Sequence, residues 1–427
     1  MGVVGLIFVG TLLLGVPIAF VLGASALYYY IFIGHISLDM LGQKLYAGPD
    51  SFVLLAIPFF ILAGELMNRA RITDSLIEFS GVLVGRIPGA LAQVNIVASV
   101  FFAGITGSGV ADTAALGSVL IPAMEKEGYT VDYAAAVTVA SSVIGPIIPP
   151  SIVMVIYSMM TGESVGALFA AGFIPGLAVA LALMILAYIY AIRYHHPRRT
   201  TKLSIHQVVT ITRKSLIALL MPIILVGGIF SGRFTPTEAA SVACFYAIIA
   251  GVFILRTLTF RDIIESFKKA AISASVILLI IATAALFGQV MALERVPTTI
   301  ASWILGMTRN KYVFLLLVNV FLLFMGMIME TGASVILLAP ILLPVAVKLG
   351  VHPLHFALVM LVNLNIGLST PPVGVCLFTA APIAGISLER ISRAALPFIT
   401  ADIVALLFIT YIPDLVLFVP RMAGFIQ

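Results

Sequence analysis

Long apolar runs set the rhythm of this chain. Stretches of eighteen or more residues with few or no charges recur along its whole length. Each is long enough to cross a bilayer as an α-helix, whereas a transmembrane barrel would show short alternating segments. The pattern predicts an all-α polytopic membrane protein. Residues 1–34 carry no charge, lack a basic leader and exceed a signal peptide's apolar region, so they read as one retained transmembrane helix.

Four places break the rhythm. The segment Asn363-Leu-Asn-Ile-Gly-Leu-Ser-Thr-Pro-Pro-Val-Gly374 lies in an uncharged run yet holds helix-breaking Gly and Pro-Pro, and Gly145 to Pro150 does the same. About forty residues ahead of each break lies another polar interruption, at 101–117 and 323–339, between short apolar arms. Paired prolines free several carbonyls at once, and hydrocarbon penalises each unpaired carbonyl by several kcal/mol. Such breaks persist only where something inside the protein satisfies them. The two earlier interruptions suit re-entrant hairpins, over about 90–125 and 312–347. The paired prolines suit broken helices, over about 132–160 and 354–382.

The chain also matches itself. Pro122 pairs with Pro344, Gly128 with Gly350, Gly145 with Gly367, Pro149-Pro150 with Pro371-Pro372 and Pro175 with Pro397. The interval is 222 residues throughout (122 to 344, 175 to 397), so the register needs no gap. A two-residue shift upstream aligns Gly64-Glu65 with Gly288-Gln289 and Arg71 with Arg295. This organises the chain as an N-terminal scaffold helix and arm (1–50), a first repeat (51–192), a basic loop with a scaffold hairpin (193–269) and a second repeat (270–427).

Charge sets the orientation. Residues 193–214 hold six Lys/Arg and no acid, and 256–269 hold four against two. Both segments are expected in the cytoplasm, with the N-terminus there and the C-terminus outside. A nucleic-acid surface is the rival reading of such a run and is disfavoured on a membrane protein. The helix from about 272 then leaves the cytoplasm while its counterpart, 53–68, runs inward. The halves are therefore inverted, as in many secondary transporters. Between the basic segments, Thr235-Pro-Thr-Glu238 reads as a capping box with proline at the first helical position.

Composition agrees: of 427 residues, 62% are hydrophobic and 10% charged, with a net charge of +5. Cys244 and Cys376 sit in apolar runs and read as buried thiols. The breaks and hairpin tips should meet at one central site. Carbonyls of Gly145, Ile148 and Ser151, with one near Gly104 or Ser108, could hold a cation. Gly367, Thr370 and Val373, with one near Gly326 or Thr331, form the mirror set. Hydroxyls of Ser108 and Thr370 add neutral oxygens, which suit Na⁺ better than Ca²⁺ or Mg²⁺. Intramembrane ionisable groups are functional candidates by default. Asp112 could ligate an ion or cap a helix; Glu330 lacks an evident capping geometry. Together with Ser108, Thr331 and Asn365 they are the substrate candidates, and Arg295 could face an anion or snorkel. Glu65 is expected to pair with Arg69 four residues on. His352 and His355 read as interfacial, and Asp402 has no visible partner.

At these residues a resemblance emerges. IPFFILAGELM (57–67), GSGVADTAALGSVLIPAM (107–124), GRFTPTEAA (232–240) and NLNIGLSTPPVG (363–374) resemble signatures of the large, DctM-type membrane subunit of TRAP transporters. The resemblance covers essentially the whole chain. It implies an elevator-type, ATP-independent, Na⁺-coupled importer of an organic acid in a bacterial inner membrane. It also implies two partners, a small four-helix DctQ-type membrane subunit and a periplasmic DctP-type binding protein. The family often places Pro-Thr after the acid of the second hairpin; here Thr331-Gly332 follows Glu330. A stand-alone two-hairpin anion/sodium symporter is the alternative. An enzyme is disfavoured: Gly107-Ser108-Gly109 has no His partner in reach, and no HExxH or phosphate-binding GxxxxGK loop is present.

Overall fold

A computed structural model describes residues 2–197 and 204–426. The described chain is helical, and eight of its helices are long and apolar enough to cross a membrane. In order they are α1 (Gly2–Leu13), α2 (Ile18–Tyr28), α3 (Leu38–Ala47), α4 (Ala56–Arg69), α5 (Ile72–Val84), α6 (Ala90–Thr106) and α7 (Gly109–Lys126). Then come α8 (Val131–Ser141), α9 (Ile152–Thr161), α10 (Val165–Arg193), α11 (Ile205–Phe230), α12 (Pro236–Ile249) and α13 (Phe260–Leu293). The chain closes with α14 (Val296–Met307), α15 (Lys311–Ile328), α16 (Thr331–Lys348), α17 (Pro353–Gly367), α18 (Val375–Ala384), α19 (Leu388–Tyr411) and α20 (Asp414–Met422).

The repeat reappears in the backbone. α7 and α16 start and stop 222 residues apart (109 to 331, 126 to 348), and both Pro-Pro pairs carry cis bonds. The shifted pair Arg71 and Arg295 both adopt left-handed backbone, at φ 58° and 52°, at the starts of α5 and α14. Packing between the halves is reciprocal: α7 lies on α18 and α16 on α9, while α4 lies on α12 and α13 on α2. Exchanged pairs of this kind are what a two-fold relation between the halves produces. α2 and α12 both end in a π-helical turn, Tyr29–Ile33 and Ala250–Ile254.

Local chemistry explains most helix starts. Ser108, Thr130, Ser151 and Ser164 each accept an N–H of the first turn of α7, α8, α9 and α10. The Thr235 box forms as its sequence predicts: Glu238 N donates to Thr235 Oγ1 (3.3 Å) and Thr235 N to Glu238 Oε2 (2.8 Å).

Three expectations need correction. Residues 1–34 are two helices that pack on each other, because Gly15 (φ +76°) and Pro17 end α1 and turn the chain. The stretch 256–269 is no loop beyond Thr259; its larger part is the first turns of the 34-residue α13. Glu65 pairs with Lys269, not Arg69, and Arg69 reaches Glu265 (2.8 Å) and Asp262 (3.4 Å). The i,i+4 rule sees only one helix, and here α13 offers closer partners to both residues of α4.

Candidate functional site

Both breaks are real gaps in helices. α8 ends at Ser141, tightens into a 3₁₀ turn to Ile144, and the chain resumes as α9 at Ile152. α17 ends at Gly367 and resumes as α18 at Val375. Among the described residues, no N–H or hydroxyl donates to the carbonyls of Gly145, Ile148, Thr370 or Val373. Two of the predicted carbonyls are already engaged. Val155 N donates to Ser151 O (3.3 Å), because Ser151 caps α9, and Thr370 N donates to Gly367 O (3.0 Å) across a tight turn. Those two are therefore not freed by the prolines. Thr370 Oγ1 donates to Ile366 O (2.7 Å), leaving its lone pairs available.

The hairpin arms end against these gaps. The last backbone donors of α6 and α15 reach Ala103 O and Met325 O, so the Gly104 and Gly326 carbonyls lie unclaimed in the final turns. Glycine is obligatory at the second contact: a Cβ on Gly367 would stand 2.3 Å from the Gly326 carbonyl carbon. In the first half, a Cβ on Gly145 would stand 2.6 Å from Asp112 Oδ2. Ser369 Oγ donates to Val139 O (2.9 Å), stitching the second gap to the first broken helix.

Asp112 is fully buried in α7. Its Oδ1 accepts the Thr106 hydroxyl (2.6 Å), and its Oδ2, beside Gly145, has no partner among the described residues. Helix capping is done by Ser108, so Asp112 is free of that task. A burial this costly for an acid needs a cation or proton as partner. The repeat counterpart of Asp112, 222 residues on, is Ser334, also buried and with a hydroxyl that has no partner among the described residues. The mirror sites thus differ by one carboxylate.

The hairpin tips enclose a cavity of about 120 Å³. Ser108, Glu330, Thr331 and Asn365 line it, closed on one side by Ile277 and Ile280 of α13. Thr331 Oγ1 donates to Asn365 Oδ1 (3.1 Å), and the buried Asn365 amide nitrogen has no partner among the described residues. Glu330 does cap its helix, contrary to the sequence reading: Oε2 accepts Ala333 N (3.0 Å). An acid one residue before α16 occupies the N-cap position, where the free N–H groups favour negative charge. It is the only ionisable side chain lining the cavity among the described residues. Asp112 does not line the cavity; it sits behind the tip, at the first gap. Arg295, exposed at the start of α14, does not line the cavity either.

Other candidates resolve structurally. His352 Nδ1 accepts Leu354 N (3.2 Å), and His355 is buried against Ile409 O (3.0 Å) rather than interfacial. Both cysteines are free and buried. No cluster of three His, Cys, Asp or Glu exists among the described residues. Sequence reasoning misses Asn319 and Asn363, whose buried amides link α15, α17 and Thr410 of α19 (2.8 and 3.0 Å). Two asparagines in apolar helices are the available signal. Asp402 is buried with neither oxygen hydrogen-bonded among the described residues, and we have no physical account of it.

Two hairpins and two broken helices around one closed site, repeated with reciprocal packing, define a membrane carrier of the secondary-transporter class. The chain belongs to the family described as tripartite ATP-independent periplasmic transporter, DctM component, which matches residues 5–415. It is 38% identical to the sialic acid TRAP transporter large permease SiaM of Vibrio cholerae, over 98% of each chain. It is 39% identical to the C4-dicarboxylate large permease DctM of Pseudomonas aeruginosa, over 91% of each. It is 40% identical to the isethionate permease DctMQ of Oleidesulfovibrio alaskensis, covering 95% of this chain and 64% of that longer one. In fold it is similar to the Alcanivorax borkumensis YdaH transporter (TM-score 0.66, 16% identity, 95% and 98% coverage). The three sequence relatives are all named as permeases.

Proposed function

We propose that this chain is the large permease of a Na⁺-coupled tripartite importer that moves a small organic acid across a bacterial inner membrane. The observation that carries the reading is the Asp112 carboxylate packed against Gly145, in a gap where the Gly145 and Ile148 carbonyls are unclaimed, beside a cavity lined by no cationic side chain among the described residues. An anion entering such a cavity needs positive charge, and Na⁺ at the gaps supplies it. Asp112, with the Gly104, Gly145 and Ile148 carbonyls, would hold one ion; Thr370, Val373 and the Gly326 carbonyl would hold a second. Ser108 and the free Asn365 amide would orient the acid, and Glu330 would accept a hydrogen bond from it.

Packing supports a division into two groups that could move past each other. α6–α10 and α15–α20 form one group around the cavity, and α1–α4 with α11–α13 form another against which it lies. α5 and α14, each set off by a left-handed arginine, join the groups. An elevator would slide the first group past the second about these connections. Relatives named for sialic acid, C4-dicarboxylates and isethionate all handle acids, and the name DctMQ supports pairing with a small membrane subunit, with a periplasmic binding protein as donor.

The test is uptake into proteoliposomes containing this chain with its small subunit, candidate binding proteins and labelled acids, under a Na⁺ gradient. Uptake only when Na⁺ and a binding protein are both present supports the proposal. Uptake without any binding protein identifies a stand-alone symporter, and uptake indifferent to Na⁺ removes the cation sites.

A further inference from the structure

α20 packs on α10 and α17, in the group around the cavity, and ends at the boundary with the other group. It stops at Met422, and Gly424 (φ +76°) turns the chain. Gly424 N donates to Arg421 O (3.1 Å) and Phe425 N to Pro420 O (2.9 Å). These are the two bonds of a Schellman motif, which fixes the course of the residue after the glycine. α11, in the other group, ends the same way just after Phe230. There Gly232 (φ +68°) donates its N–H to Ile229 O (3.0 Å), and Arg233 N donates to Gly228 O (3.2 Å). Two phenylalanines are thus set at two capped helix ends, and they meet. The rings of Phe425 and Phe230 stand edge to face with centroids 5.7 Å apart. Phe173 of α10 meets the same Phe230 ring, also edge to face, at 6.1 Å. Gly166 of α10 makes room for the contact: a Cβ there would stand 3.0 Å from the Phe425 ring and 3.4 Å from Ile229 of α11.

We propose that Phe173 and Phe425 form a clasp on Phe230 that holds the two groups in the relative position of this structure, and that its opening is a step in their sliding. The clasp rests on the elevator reading given above. Phe173 and Phe425 belong to the group around the cavity and Phe230 to the other, so any slide of one group past the other must part both ring pairs. Edge-to-face pairs at these separations add a directional attraction to the area they bury. Each is worth a factor of about five in an equilibrium constant, which biases a position without locking it. Phenylalanine also carries no polar side-chain atom, so parting the rings leaves no hydrogen bond unmade.

The surroundings suit a contact that opens. Beside the clasp lies a cleft of about 500 Å³ between the groups. Ser51, Val53 and Pro236 line it from one group, and Glu163, Ser164 and Gly166 from the other. At this edge the groups are already parted, so the rings bridge a boundary that is otherwise loosely packed.

Spin labels at E389C in α19 and R261C in α13, both exposed and one in each group, read the distance between the groups in proteoliposomes with and without Na⁺. F425A should raise the population at a second distance, relative to that of this structure, about fivefold. F230A loses both ring contacts and should raise it at least as far, and F425A added to F230A should change it little further. F418A is the control: it removes a ring of α20 that is 53% exposed and should leave the ratio as in wild type. Two distances in the same ratio in wild type, F425A and F230A overturn the clasp and leave the sliding intact. A shift by F418A equal to that by F425A assigns the effect to general loosening of α20 and also overturns the clasp. One distance in every variant overturns the sliding itself, and the clasp with it.

Discussion

Replacing Gly367 by alanine tests the central contact most directly. The added Cβ would stand 2.3 Å from the Gly326 carbonyl carbon, 2.5 Å from its Cα and 2.6 Å from its oxygen. Ordinary carbon contacts lie at about 3.5–4.0 Å, so α15 and α17 must part by roughly 1 Å. All three clashing atoms are backbone, and no side-chain rotation relieves them. Overpacking of this kind costs about 1–3 kcal/mol. It also displaces the Gly326 carbonyl, and cation sites tolerate ligand errors of only about 0.2 Å. Sodium affinity should therefore fall at least tenfold, the usual result of disturbing a ligand's support. Bound ligand stabilises by about 2.7 kcal/mol at a hundred times its Kd, and a tenfold loss removes about 1.4 of that. The assay is thermal unfolding of purified protein in NaCl against choline chloride. G367A should melt lower in both salts and lose much of the sodium increment. Gly288→Ala is the control, because nothing lies within 4 Å of its Cβ, and it should behave as wild type. An unchanged melting temperature and sodium increment for G367A would refute the backbone-on-backbone packing and the cradle built on it.

Further outcomes follow from single side chains. Asp112→Asn keeps an acceptor for the Thr106 hydroxyl but removes the charge; it should fold and lose at least tenfold in Na⁺ affinity, and unchanged Na⁺ titration of uptake would make Asp112 purely structural. Thr370→Ala should weaken sodium dependence while leaving the protein folded; an identical Na⁺ activation curve would exclude that hydroxyl. Glu330→Gln keeps an oxygen for Ala333 N, whereas Glu330→Ala removes the cap at a cost of about 0.5–2 kcal/mol. Both should lose uptake and only the alanine variant should lose stability, so full uptake by Glu330→Gln counts against a substrate contact. Lys269→Ala removes the partner of Glu65 and should lower stability by about 1 kcal/mol, because Lys269 is exposed while Glu65 is largely covered, as denaturation will read.

Much of the site is legible in the amino-acid sequence because its signals are local. Pro149-Pro150 and Pro371-Pro372 break helices wherever they stand, and their fixed interval marks the repeat without knowledge of contacts. The charged segments set the expected orientation by composition alone. Ser151 and Gly367 mislead because a residue near a break can still have its carbonyl claimed by the next turn, which depends on backbone direction. Glu330 misleads because its capping bond requires that α16 begin at Thr331, one residue later.

Hydropathy, proline stereochemistry and internal identity suffice to show a polytopic helical protein of two matching halves, and where each half is interrupted. All three act through neighbours along the chain, so no contact between distant segments is needed to read them. Three-dimensional packing alone puts Asp112 behind the tip against Gly145, joins Glu65 to Lys269, and sets Gly326 against Gly367. These contacts join helices distant in sequence, and each is set by the shapes of two surfaces together rather than by either segment alone.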